Sequence, residues 1–130
     1  MLNSLILSSI LLVNLVTLQV EVVESDPLTD YINELAVYEC RNCPPKYDRV
    51  DSNGELSYSC LQFQERTFRE QVAKYDMLPD IEPHEIMNFI YDCSFQKKLA
   101  VMMLQENPKF IWRWKTSVLR GLGLPPNYED

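Results

Sequence analysis

What most constrains this chain is its set of four cysteines: Cys40-Arg41-Asn42-Cys43, then Cys60 and Cys93. An even cysteine count in a short chain behind a leader-like N-terminus points to a disulfide framework, and four cysteines permit three pairings. The faces on which the thiols lie supply a way to rank them. Leu28, Tyr31, Ile32, Leu35, Ala36 and Cys40 recur at helical spacing, which puts Cys40 on an apolar stripe. Ile86, Phe89, Ile90 and Cys93 form a second such stripe, while Cys43 and Cys60 flank Asn53-Gly54. On that basis Cys40–Cys93 with Cys43–Cys60 is the favoured pairing. Closing those two loops would stabilise the fold by about 4 and about 3 kcal/mol in the chain-entropy view. Cys40–Cys60 with Cys43–Cys93 ranks next, and a local Cys40–Cys43 bridge with Cys60–Cys93 third.

Residues 5–18 are an apolar run diluted by Ser8, Ser9, Asn14 and Thr17. The run has the length of a signal-peptide core and falls short of the ~20 apolar residues that span a bilayer. We therefore read residues 1–25 as a secretory signal cleaved near Ser25, and 26–130 as a single mature domain. Loss of Glu21 and Glu24 with the leader moves the formal charge from −7 to −5, leaving 12 basic against 17 acidic residues. An acidic balance of this kind argues against a nucleic-acid partner.

Along the mature chain, Asp26-Pro27 is an N-cap and first-turn proline, and Pro44-Pro45 stops the helix that follows. Between residues 46 and 60, Leu56, Tyr58 and Cys60 alternate with serines after Asn53-Gly54, a pattern that allows a short β-hairpin with a type I′ turn. From Leu61 the period becomes helical, with Phe68, Val72 and Tyr75 inward and Glu65/Arg69 and Glu70/Lys74 as outward pairs. Glu82-Pro83 starts another helix. Residues 99–104 are apolar all round, as in a helix packed on several sides. Asn107-Pro108 opens a last helix that runs through Trp112 and Trp114 to Gly121. The expected fold is an all-α domain of four or five short helices held by two disulfides.

Few residues suggest chemistry. Redox Cys-x-x-Cys motifs sit at helix starts, whereas this one sits at a helix end before two prolines. Cys60, His84 and Cys93 are too scattered for a zinc site, and a single histidine rules out a His-Glu-x-x-His pair. Asp76, Asp80, Glu82 and Glu85 lack calcium-loop spacing and read as a solvated acidic loop. No catalytic residue, metal ligand or cofactor is assigned, and the chain is read as a non-enzyme.

The last helix is the exception. It carries Lys109, Arg113, Lys115 and Arg120 and no acid, in a chain that is acidic elsewhere. Ile111, Trp114 and Val118 share one stripe, leaving Trp112 on another side; Trp112, Arg113 and Lys115 are the candidate partner-binding residues. Met87, Met102 and Met103, with Phe89 and Phe95, are the adaptable apolar side chains that line ligand pockets. In addition, Cys93-Ser94-Phe95-Gln96-Lys97, followed by Glu106-Asn107-Pro108 and Trp112, loosely resembles the C-terminal third of insect chemosensory proteins. Those are small secreted helical carriers of apolar ligands. This chain departs from them in carrying its Cys-x-x-Cys at Cys40 and Cys43, with Cys93 alone in the later position.

Two functions follow as expectations. The first is a secreted effector, of the toxin, salivary or hormone kind, that binds an extracellular protein, receptor or channel. The alternative is a secreted carrier of a small apolar ligand in a helical core; contact with a membrane surface is the least favoured.

Overall fold

The computed structural model describes residues 26–130, so the leader reading of 1–25 lies outside the described residues. Helix α1 (Pro27–Glu39) begins as its sequence dictates: the Asp26 carboxylate accepts from the Leu28 amide at 3.2 Å, and Pro27 occupies the first turn. Its inward face is Leu28, Tyr31, Ile32, Leu35 and Ala36. Three short strands follow, β1 (Asp48–Val50), β2 (Leu56–Tyr58) and β3 (Phe63–Gln64), in one antiparallel sheet of order β1-β2-β3. The fold is thus mostly helical, and the hairpin gains a third strand that lies beyond residue 60. The turn between β1 and β2 is a five-residue loop, 51–55, closed by the Asp51 amide on the Glu55 carbonyl at 2.8 Å. Gly54 there has φ +82°, while Asn53 is not left-handed, so the two-residue type I′ turn does not form.

Helix α2 (Glu65–Lys74) buries Phe68 and Val72. Its expected Glu65/Arg69 pair forms at 3.0 Å, but Glu70 is taken by Arg66 at 3.2 Å and Lys74 reaches Glu106 at 2.6 Å. A 3₁₀ helix (Pro83–Phe89) replaces the expected longer helix. The reason is the next cap: the Asp92 carboxylate accepts from the Phe95 amide at 3.1 Å and starts α3 (Cys93–Glu106) there. Cys93 is therefore the first residue of α3 and not the end of the preceding stripe.

After α3, residues 108–122 form one irregular helical run: a 3₁₀ stretch (Pro108–Trp114), a single α turn (Lys115–Ser117) and a π turn (Val118–Leu122). Gly121, at φ +129°, kinks its last turn, and a Cβ there would meet the Tyr38 hydroxyl at 3.1 Å, so the run lies directly against α1. The Tyr31 hydroxyl ties the same two elements, donating to the Gly123 carbonyl at 2.7 Å. The core between α1, α2, α3 and this run is filled by fully buried Ile32, Leu35, Phe68, Leu99, Met103 and Ile111.

The cysteines pair as Cys40–Cys43 and Cys60–Cys93, which corrects the favoured Cys40–Cys93 and Cys43–Cys60 scheme. The helix stops one residue short of the apolar stripe's last member. α1 ends at Glu39; Cys40 is its half-buried C-cap, with φ −155°. Asn42, at φ +59°, then turns the chain back until the Cα atoms of Cys40 and Cys43 are 5.5 Å apart.

Beside the second bridge lies a polar hub that its sequence does not advertise. Gln96 is 0% exposed. Its Oε1 accepts from the Leu61 amide at 3.0 Å, and its Nε2 donates to the carbonyls of Tyr58 at 2.8 Å and Ile90 at 2.5 Å. One side chain therefore joins α3 to the sheet and to the end of the 3₁₀ helix, and does so through backbone groups in and beside the core.

Candidate functional site

Strand pairing sets the floor of the candidate site. Arg49 stands opposite Ser57, and Ser57 opposite Gln64, so these three side chains form a row on one face of the sheet, with Asp51 on the same face two residues beyond Arg49. The row is knit together: the Ser57 hydroxyl donates to the Asp51 carboxylate, Gln64 Nε2 donates to it at 2.8 Å, and Arg49 lies 3.5 Å from it. Burial pushes the Asp51 carboxyl up, but these hydrogen bonds and the Arg49 guanidinium outweigh that and hold it below the usual carboxylate range.

Over this floor stand the end of α1 and residues 113–120 of the last helical run, enclosing an open cleft of about 560 Å³. The run contributes Arg113, Lys115 and Arg120; α1 contributes Tyr38 and Glu39. Glu39 is pushed up from the ordinary carboxylate range by burial, only partly offset by the Ser117 hydroxyl, which donates to it at 2.8 Å, and by the Arg49 and Arg120 charges. A smaller pocket of about 200 Å³ continues past Arg113 to Thr67, whose hydroxyl accepts from Arg113 Nη1 at 3.1 Å. The Arg113 guanidinium also lies over the Phe110 ring, 5.7 Å from its centroid.

Of the three candidate partner-binding residues, Arg113 and Lys115 come together in this cleft, and Trp112 does not line it. Trp112 is 42% exposed on another side of the run, edge-on to Tyr128, to whose hydroxyl its Nε1 donates at 3.0 Å. Trp114, 5% exposed, donates Nε1 to the Leu61 carbonyl at 2.8 Å and packs edge-on against Phe63. Arg49, Asp51 and Glu39 were not singled out from the sequence. The signal for the first two was their spacing of two residues in a strand, which places both on one face; for Glu39 the sequence carries none, because Ser117 reaches it from 78 residues away.

A second groove, of about 550 Å³, runs between α1 and α3 and is lined by Thr29, Ile32, Lys97, Lys98, Val101 and Met102. Met103, by contrast, is sealed in the core. Among the described residues, no helix is long and apolar enough to cross a membrane, and no three potential metal ligands are gathered. His84 and the acidic residues Asp76, Asp80, Glu82 and Glu85 are all exposed. No known protein family, curated protein or solved structure matches the chain.

Proposed function

We propose that the protein is a secreted, non-catalytic effector that binds an extracellular protein, using the cleft between the sheet and the last helical run. The observation that carries this reading is the gathering of Arg49, Arg113, Lys115 and Arg120 around one cleft on a chain whose formal charge is −7. A basic cleft on an acidic body steers anionic partners toward one face and repels them from the rest. Exposed Trp112 on the adjoining side of the run adds the kind of aromatic anchor in which interface energy concentrates. Two disulfides, one of them joining the sheet to α3, suit an oxidising extracellular setting, with residues 1–25 as the leader.

The reading is tested with protein secreted from a eukaryotic host. N-terminal sequencing should find the chain starting near Asp26. Labelled protein should bind saturably to cells or extracellular matrix of the producing or target tissue, and Arg113→Glu with Lys115→Glu should abolish that binding. Equal binding by the charge-reversed variant overturns the assignment of the cleft.

The groove between α1 and α3 supports the second reading, a carrier of a small apolar ligand, because Ile32, Val101 and Met102 offer an apolar wall. Native mass spectrometry of the secreted protein separates the two: a co-purifying lipid displaced by a fluorescent apolar probe favours the carrier, and its absence favours the effector.

A further inference from the structure

We infer that the cleft receives an extended, acidic segment of the partner protein, with aspartate or glutamate side chains seated between Arg113, Lys115 and Arg120. The inference rests on the binding-protein reading above and names the chemistry of its partner.

The hydrogen bonds already made in the cleft set the sign of the ligand. Both carboxylates of the cleft already have donors from the protein: Ser117 for Glu39, and Ser57, Gln64 and Arg49 for Asp51. The cations are less occupied. Arg113 spends one N–H on Thr67, and among the described residues neither Lys115 nor Arg120 forms a salt bridge, although Arg120 is drawn electrostatically toward Glu39. A guanidinium carries five N–H donors in a planar fork, so Arg113 and Arg120 retain paired donors matched to a carboxylate. What the cleft lacks is acceptors, and an acidic side chain supplies them.

The shape favours a chain over a free ion. β1 is an edge strand and supplies Arg49 and Val50 to the cleft wall, with Asp51 just past its end. Val50 is 65% exposed, and Tyr38 at the other rim is also exposed. An inorganic anion would use neither Val50 nor Tyr38. An extended peptide would place its carboxylates among the cations, an apolar side chain on Tyr38, and its backbone beside the strand edge, the arrangement of strand addition, with its alternate side chains reaching Val50 on the opposite face.

The experiment uses the mature protein and a fluorescein-labelled hexaglutamate peptide followed by anisotropy. Saturable binding is expected at low salt, weakening steadily as ionic strength rises. Arg113→Gln with Lys115→Gln should raise the midpoint by about tenfold or more, as for the loss of close charge contacts at an interface. Arg120→Gln alone should act in the same direction. Lys97→Gln with Lys98→Gln, which removes two cations from the distant groove, should leave the midpoint within about twofold. Because all these side chains are solvent-accessible, thermal melts should be unchanged, and a variant that fails to fold is replaced by Arg120→Gln.

Absence of saturable binding, or equal binding by the Arg113/Lys115 variant, overturns the inference. So does a heparin oligosaccharide that binds through the same residues where hexaglutamate does not. If hexaglutamate binding fails while tissue binding persists and still depends on Arg113 and Lys115, the acidic-segment inference falls alone; if both fail, the cleft assignment falls with it.

Discussion

The two disulfides of this domain are alike in chemistry and opposite in what they hold. Cys60–Cys93 spans 33 residues and fastens the sheet region to the first turn of α3, beside fully buried Gln96. Cys40–Cys43 spans 3 residues at the C-terminal end of α1, where Arg41 and Asn42 are exposed. Since a cross-link acts chiefly by restricting the unfolded chain, the long loop is worth about 4 kcal/mol and the short one about 2. The first bridge thus belongs to the part of the molecule where removal of a single group propagates. The second closes an exposed turn just after α1, where changes stay local.

The largest effect is expected where the comparison is sharpest. Gln96→Leu keeps the volume but strips partners from the Leu61 amide and the carbonyls of Tyr58 and Ile90. Two buried backbone groups and one part-buried carbonyl stripped of this partner, at about 1–3 kcal/mol for each buried group, should cost about 4 kcal/mol in urea unfolding. A loss below about 1 kcal/mol would mean that water replaces the side chain and that the hub is not a hub. Next come the bridges themselves. Replacing Cys60 and Cys93 by alanine should cost about 4 kcal/mol and Cys40 and Cys43 about 2, so equal losses would erase the distinction between the two regions.

The tryptophans repeat the contrast two residues apart. Trp114→Ala removes a buried ring and its bond to Leu61 and should cost about 3–5 kcal/mol. Trp112→Ala breaks an exposed contact with Tyr128 and should cost less than about 1 kcal/mol. Thermal melts with equal, large losses at both positions would show that the last helical run is buried on both sides.

How much of this was legible depends on the range of the interaction. The start of α1, the Glu65/Arg69 pair and the division between Trp112 and Trp114 follow from spacing, because helix neighbours are fixed by the sequence itself. The pairing of cysteines was not legible, because it turned on where α1 stops. Cys40 continues the apolar stripe on paper and leaves the helix in space, and nothing in Tyr38-Glu39-Cys40-Arg41 marks the stop before Pro44. The 3₁₀ helix was missed for a related reason: Asp92 outcompetes the earlier start as a cap. The cleft was half legible. Arg113 and Lys115 stand out as cations on a helix without acids, but their partners on the floor arrive by β-pairing, and a strand of three residues leaves too short an alternation to assign.

The smallest change separates the cleft from the core by charge alone. Glu39 sits at the end of α1, and its carboxyl is raised by burial against the opposing pull of Ser117, Arg49 and Arg120. A carboxyl whose folded pKa lies above its unfolded value binds its proton more tightly in the native state, so between the two values the folded chain holds more protons. The stabilisation is then complete below the ordinary glutamate range and is lost as pH rises through the raised folded value. Glu39→Gln keeps an oxygen to accept from Ser117 and removes the charge. The variant should therefore melt higher than the parent at about pH 7 and the same at about pH 3, where the parent's carboxyl is neutral in both states. It should also bind hexaglutamate more tightly at about pH 7, since one negative charge has left the cleft. A variant that melts lower at pH 7 would mean that the ionised carboxylate is needed by Arg49 and Arg120, and that the cleft is held together by its ion pairs and not merely lined by them.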